Sequence, residues 1–202
     1  MKKLSVAVLA SNRGGNLKCL WELVKKGALD ARISILVTEN PDAPVLKWAR
    51  EHGLENVCIP VDSRTREEHE KEIMQHLKKH DVDLIVLDGY RRILSPAIVN
   101  AYRVMNVHPS LLPAFPGKNA WKQVLDHGAK VSGCTIHFVD ESVDNGPIIL
   151  QSAVPVMGDD TVETLKERIL VEERRLYPEA VQLFAEGRLT IEGRRVIIKE
   201  SA

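Results

Sequence analysis

Asn106 and His108 stand two positions apart in Asn106-Val107-His108-Pro109-Ser110-Leu111-Leu112-Pro113. They close an apolar run, Val104 to Val107, that reads as a buried strand. Residues two apart on a strand point to one face. An amide and an imidazole are therefore expected side by side at the carboxyl end of a strand, where open α/β sheets bind ligands. Further on, His137-Phe138-Val139-Asp140-Glu141-Ser142-Val143-Asp144-Asn145-Gly146-Pro147 offers a carboxylate, Asp144, in a tight Gly-Pro turn. An amide, an imidazole and a carboxylate suit acyl transfer in which the enzyme supplies no nucleophile of its own. They can donate to a developing oxyanion and pass a proton. A lone histidine here would be as readily structural, and a lone aspartate before Asn-Gly-Pro would be a turn residue.

These groups need elements to hold them. Short apolar runs at Ser5–Ala10, Ile33–Val37, Val57–Ile59, Leu84–Leu87 and Val104–Val107 read as strands. Helix-period segments at Leu17–Lys26, Ala43–His52, Thr65–His80 and Pro96–Tyr102 lie between them. This rhythm predicts an α/β fold with a Rossmann-like, mostly parallel sheet flanked by helices. Ala120–His127 then reads as a helix, and Lys130–Phe138 and Ile148–Val156 as strands of an antiparallel C-terminal section. A long helix is expected from Thr161 to about Phe184, started by Asp160 and Glu163 in capping-box spacing and ended by Gly187. Ile191 to Val196 suggests a small hairpin. No repeat or linker interrupts the chain, so residues 1–202 are expected to form one domain.

Composition narrows the partners. Lys+Arg and Asp+Glu both number 28, so the chain has no formal charge excess and nucleic-acid binding is not expected. The start, Met1-Lys2-Lys3-Leu4, runs straight into a strand-like segment, and no apolar run approaches the roughly 18 residues of a membrane span. A cytoplasmic protein is expected. Cys19, Cys58 and Cys134 are scattered, which predicts three small buried side chains rather than disulfides or a zinc site. His108, His137 and Asp144 fit no recognised zinc spacing, so no metal is expected.

The two long motifs, NVHPSLLPAFPG and GCTIHFVDESVDNGPII, resemble the folate-dependent formyltransferases from about Ser5 to Leu189. The likeness is strongest to the branch that formylates 5'-phosphoribosylglycinamide in purine synthesis. It implies 10-formyltetrahydrofolate as formyl donor, a small ribonucleotide as acceptor, and a monomer or homodimer. It implies Asn106, His108 and Asp144 as the catalytic trio, with His137 supporting them. Ser11, Asn12, Arg13, Gly14, Gly15 and Asn16 follow the first strand and open a helix, a ready anion site. The resemblance assigns this loop to the ribonucleotide phosphate. Asn12 stands where glycine is frequent, and Gly15 where serine or threonine is frequent. Glu173 falls inside the apolar stripe of the long helix, four residues from both Ile169 and Tyr177. The resemblance makes it a ribonucleotide ligand, although Arg174 replaces a usual histidine.

Asp88-Gly89-Tyr90-Arg91-Arg92-Ile93-Leu94-Ser95-Pro96 resembles the pterin-lining segment. Arg91, Arg92, Ile93, Leu94 and, from the second motif, Val143 are thereby implied to meet the folate. Asp88 replaces a small residue and Arg91 a methionine. Asn119 and Trp121 stand where some relatives carry histidine. Rival expectations are a formyltetrahydrofolate deformylase, in which water replaces the amine, and a binding protein that has lost activity. A tRNA formyltransferase would need a further C-terminal domain, and Pro116-Gly117 favours the small-ribonucleotide branch.

Overall fold

The computed structural model describes residues 3–200, in two compact units, one up to Met105 and one from Asn106 onward. The sequence reading had no linker to suggest this division.

The first unit is a βα repeat. Strands β1 (Leu4–Ala10), β2 (Ala31–Thr38), β3 (Asn56–Cys58) and β4 (Leu84–Asp88) alternate with helices α1 (Gly15–Lys25), α2 (Pro44–Glu51), α3 (Arg66–Lys79) and α4 (Pro96–Ala101). The four strands are parallel in the order β3-β2-β1-β4. Val6 to Ala10 and Leu84 to Val86 have no exposed surface. Strands covered on both faces read as continuous apolar runs, which is why they were visible without alternation. α3 starts with a full capping box: Thr65 Oγ1 accepts the Glu68 N–H at 3.2 Å and the Glu68 carboxylate accepts the Thr65 N–H at 2.8 Å. Strand β5 (Arg103–His108) leads the chain into the second unit.

The second unit holds α5 (Ala120–Asp126), β6 (Val131–Phe138), β7 (Ile148–Pro155), α6 (Val162–Ala185), β8 (Leu189–Glu192) and β9 (Arg195–Ile198). β6 and β7 pair antiparallel, β9 adds to β7 in parallel at Ile148 and Arg195, and β8–β9 is the expected hairpin. The fold class is thus α/β with a mostly parallel sheet and an antiparallel C-terminal section.

Two local expectations need correction. α6 begins one residue later than expected, and its box is Thr161 with Thr164, not Asp160 with Glu163. Asp160 is drawn elsewhere: it accepts both arms of Arg168, each at 2.8 Å, and the Met157 N–H at 2.7 Å. A bidentate guanidinium outcompetes a single helix N–H for that carboxylate. Of the cysteines only Cys134 is buried; Cys19 and Cys58 are half-exposed. Among the described residues no helix is long and apolar enough to cross a membrane.

Candidate active site

The second unit brings the proposed trio together. Asn106 and His108 lie on β5, His137 on β6, and Asp144 in the turn between β6 and β7. The strand spacing accounts for the first pair. The turn is fixed more unusually. Asp144 has a left-handed backbone, φ 51°, which aspartate tolerates better than most residues. A Cβ on Gly146 would lie 1.8 Å from the Phe138 carbonyl oxygen, so the chain re-enters β7 only with glycine there.

His108 is buried, and both its ring nitrogens face acceptors. Nδ1 is 3.2 Å from Asp144 Oδ2, and Nε2 is 2.8 Å from the Phe115 carbonyl. Both can be hydrogen-bonded at once only when both carry protons, so this arrangement suits the imidazolium. Asp144 Oδ2 also accepts the Gly117 N–H at 2.8 Å, which ties the turn to the Pro116-Gly117 loop.

His137 does the opposite. Its Nδ1 meets the Phe138 carbonyl at 2.8 Å and its Nε2 meets Asn106 Nδ2 at 3.2 Å. Burial holds its pKa below the ordinary histidine value, against smaller upward pulls from the Phe138 carbonyl and Asp144. The neutral ring then donates from Nδ1 and accepts at Nε2 from Asn106. One N–H of the Asn106 amide is so engaged, and the amide is held in one orientation with its other N–H available. The loop after His108 is pinned as well. Thr135 Oγ1 donates to the Ser110 carbonyl at 2.7 Å and accepts the Leu112 N–H at 3.0 Å.

Beside the Asp144 turn lies a cleft of about 270 Å³ lined by Leu112, Pro113, Asp144, Asn145, Ile148 and Arg194. Arg194, from the β8–β9 turn, donates to the Asn145 carbonyl at 2.9 Å. Glu173 is buried on α6, as its place in the apolar stripe predicted. Its charge, second to burial itself, helps push the thiol of Cys134 on β6 up to about 12. Val143 is 54% exposed.

The first unit carries the loop expected to take an anion, and several of its side chains are engaged within the protein. Ser11 is fully buried; its hydroxyl accepts the Arg91 N–H at 2.9 Å and its carbonyl accepts Asn40 Nδ2 at 3.2 Å. The Asn12 carbonyl accepts the Val45 N–H at 3.0 Å. Asn16 is buried, with Nδ2 turned to Asp88 Oδ1 at 3.2 Å. Asn12 and Arg13 are the exposed residues of the loop, Gly14 is buried and Gly15 half-buried. In the folate-type segment Leu94 is buried, Arg91 is exposed and Ile93 is 60% exposed. Burial, and less strongly the Glu39 charge, raises the Tyr90 pKa well above the usual phenol range. A groove of about 380 Å³, with Met74, Ala97 and Tyr102 among its lining, contains none of the predicted residues.

Several participants carry no sequence signal. The Phe115 carbonyl and the Gly117 N–H are backbone groups. Asp88 did have one: a carboxylate at the end of an otherwise apolar strand.

A parallel α/β unit with a glycine-rich loop after its first strand, followed by a clustered amide, imidazole and carboxylate, defines a group-transfer fold. The formyl transferase family model matches residues 4–181. The chain belongs to the formyl transferase family. It is 38% identical over 185 residues to phosphoribosylglycinamide formyltransferase of Bacillus subtilis, covering 90% of this chain and 94% of that one. It is 42% identical over 189 residues to the bovine trifunctional purine biosynthetic protein adenosine-3, covering 92% of this chain but spanning only 19% of that protein's length. Glycinamide ribonucleotide transformylase 1 of Symbiobacterium toebii superposes with a TM-score of 0.96 at 44% identity, over 98% of this chain and 95% of that one. A formyltetrahydrofolate deformylase from Pseudomonas syringae also superposes, TM-score 0.92, but at 26% identity and over 66% of its length, against 98% of this chain.

Proposed function

We propose that the chain transfers the formyl group of 10-formyltetrahydrofolate to the amine of 5'-phosphoribosylglycinamide, as a step of purine synthesis. The observation that carries this reading is the trio itself: His108 set between Asp144 and a carbonyl, and Asn106 oriented by a neutral His137. The substrate amine attacks the formyl carbon, and the carbonyl oxygen becomes an oxyanion. Asn106 donates its free N–H to that oxygen. His108, 3.2 Å from Asp144 through Nδ1, donates the second hydrogen bond. Its Nε2–H rests on the Phe115 carbonyl until the more basic oxyanion takes it over. Collapse of the tetrahedral intermediate expels the folate nitrogen, and the proton lost by the amine is delivered to it, with Asp144 and solvent as the relay. No covalent enzyme intermediate is formed.

The ribonucleotide phosphate is taken by main-chain N–H groups of residues 13–16, with Arg13 adding charge, and Glu173 meets the ribonucleotide. Arg91 to Leu94 and Val143 supply the folate contacts, and Ile93 and Val143 each expose apolar surface. The two units serve one activity and so count as one functional domain. The protein works in the cytoplasm as a monomer or homodimer, without metal, membrane or nucleic acid.

One assay tests this. Purified protein is given formylfolate with glycinamide ribonucleotide and, separately, without any amine. Formylated ribonucleotide in the first mixture and no formate release in the second are expected. Formate release without amine would mean a deformylase, and no turnover in either would mean a binding protein.

A further inference from the structure

We propose that Asp88 is a positioning residue for the anion loop: its buried carboxylate caps α1 from outside the helix and holds Asn16, and so sets the affinity for the ribonucleotide phosphate. The inference rests on the phosphate reading of the loop given above.

α1 has no cap of its own. Gly14 occupies the N-cap position with φ 65° and no side-chain hydrogen bond, and the first turn contains no acidic residue. A capping side chain cannot be placed there, because a Cβ on Gly14 would sit 2.2 Å from Val45 Cγ2 and the left-handed backbone disfavours it further. The first-turn N–H groups have no acceptor within the helix and take one from elsewhere. Asp88 provides it from the end of β4, in register with Ala10 of β1, the residue just before the loop. Its Oδ2 accepts the Leu17 N–H at 2.9 Å, and its Oδ1 accepts Asn16 Nδ2 at 3.2 Å, both contacts buried. A carboxylate facing the first turn of a helix is also favourably placed in the helix field.

This division of labour has a consequence for the ligand. The Leu17 N–H and the Asn16 amide are committed to Asp88, so the phosphate meets main-chain N–H groups that are already held in place. Without the carboxylate, the first turn and Asn16 lose their anchor, and the loop must be ordered when the phosphate binds. The ordering cost appears as weaker ribonucleotide binding. The formyl-transfer groups belong to the other unit, so turnover at saturation should be preserved.

The test uses the intact enzyme. Asp88→Ala should raise KM for glycinamide ribonucleotide roughly five- to tenfold, the scale of a lost helix cap, with kcat within about twofold. It should also speed hydrogen exchange of the Leu17 amide. Asp88→Asn retains an acceptor for that N–H, and Asn16 can turn its amide over to meet the new donor. It should recover most of the affinity. Should Asp88→Ala not fold, Asp88→Ser removes the same charge and shortens the acceptor, and the same KM rise is expected. Titration of the wild type with inorganic phosphate separates the two readings. If the amides of residues 13–16 do not respond, the phosphate loop and the Asp88 proposal both fall. If they respond while KM and Leu17 exchange stay unchanged in the Asp88 variants, only the Asp88 proposal is overturned. A fall in thermal stability with no change in KM would likewise make Asp88 merely structural.

Discussion

His108 and His137 lie in the same unit, both buried, yet their partners assign them opposite protonation. His108 faces a carboxylate and a carbonyl, two acceptors, which suits a ring with two N–H groups; His137 faces a carbonyl acceptor and an amide N–H donor, which suits a ring with one. That contrast fits the proposed roles of oxyanion donor for His108 and orienting residue for His137. Asn106→Ala or His108→Ala should each lower turnover at least about a hundredfold, as loss of one oxyanion donor does, with the fold intact by circular dichroism. Near-normal rates in both would remove the proposed roles. His137 also carries a pH signature. Its folded pKa is depressed, so on acidification the unfolded chain takes up its proton first. Stability contributed by the neutral ring is therefore present above the unfolded value of about 6.5 and is lost as pH falls below it. Unfolding midpoints between pH 7.5 and about 5 should drop more for the wild type than for His137→Gln. Parallel curves would show that His137 is not held neutral. The identities of these side chains were legible because strand periodicity and one turn suffice to gather them. The two backbone partners, Phe115 and Gly117, were not, since every residue has a carbonyl and nearly every one an N–H.

The elements follow the same division between pattern and detail. Continuous apolar runs and helical stripes placed each strand and helix within a few residues, because burial is what those patterns record. Caps were harder. Thr65 and Glu68 form the box at the start of α3, but at α6 the Asp160 expected from its spacing is occupied by Arg168, a partner eight residues on. The cap of α1 comes from a different strand altogether, which no local pattern can display. The Asp144 turn offers the sharpest test at this scale. Gly146→Ala would set a methyl group against the Phe138 carbonyl. It should cost about 1–3 kcal/mol by denaturant melt, the range for forced overpacking, and should also lower turnover by displacing Asp144. Retained stability and rate would mean that the turn relaxes freely and does not fix the carboxylate. By comparison, Thr161→Ala at the start of α6 should cost about 1 kcal/mol, with turnover unchanged.

On the scale of the whole molecule, charge is balanced, with 28 basic and 28 acidic side chains, so no general field draws in an anionic substrate. Affinity for the ribonucleotide must arise locally, and the proposed anion loop and the proposed catalytic trio belong to different compact units. Binding and chemistry should therefore be separable by mutation. Asp144→Asn is the most discriminating change. It preserves shape and most hydrogen bonding, including an acceptor for the Gly117 N–H, but removes the charge beside His108. Without that anion the ring loses its charged partner, and it becomes a poorer donor to the oxyanion. Turnover should fall by roughly two orders of magnitude, as when one donor to the transition state is lost. The dissociation constant for glycinamide ribonucleotide, measured by calorimetry without folate, should stay within about threefold, because that interaction is made equally in ground and transition states. The reverse result, collapsed affinity with surviving turnover, would make Asp144 a binding residue and would undo the mechanism built on it.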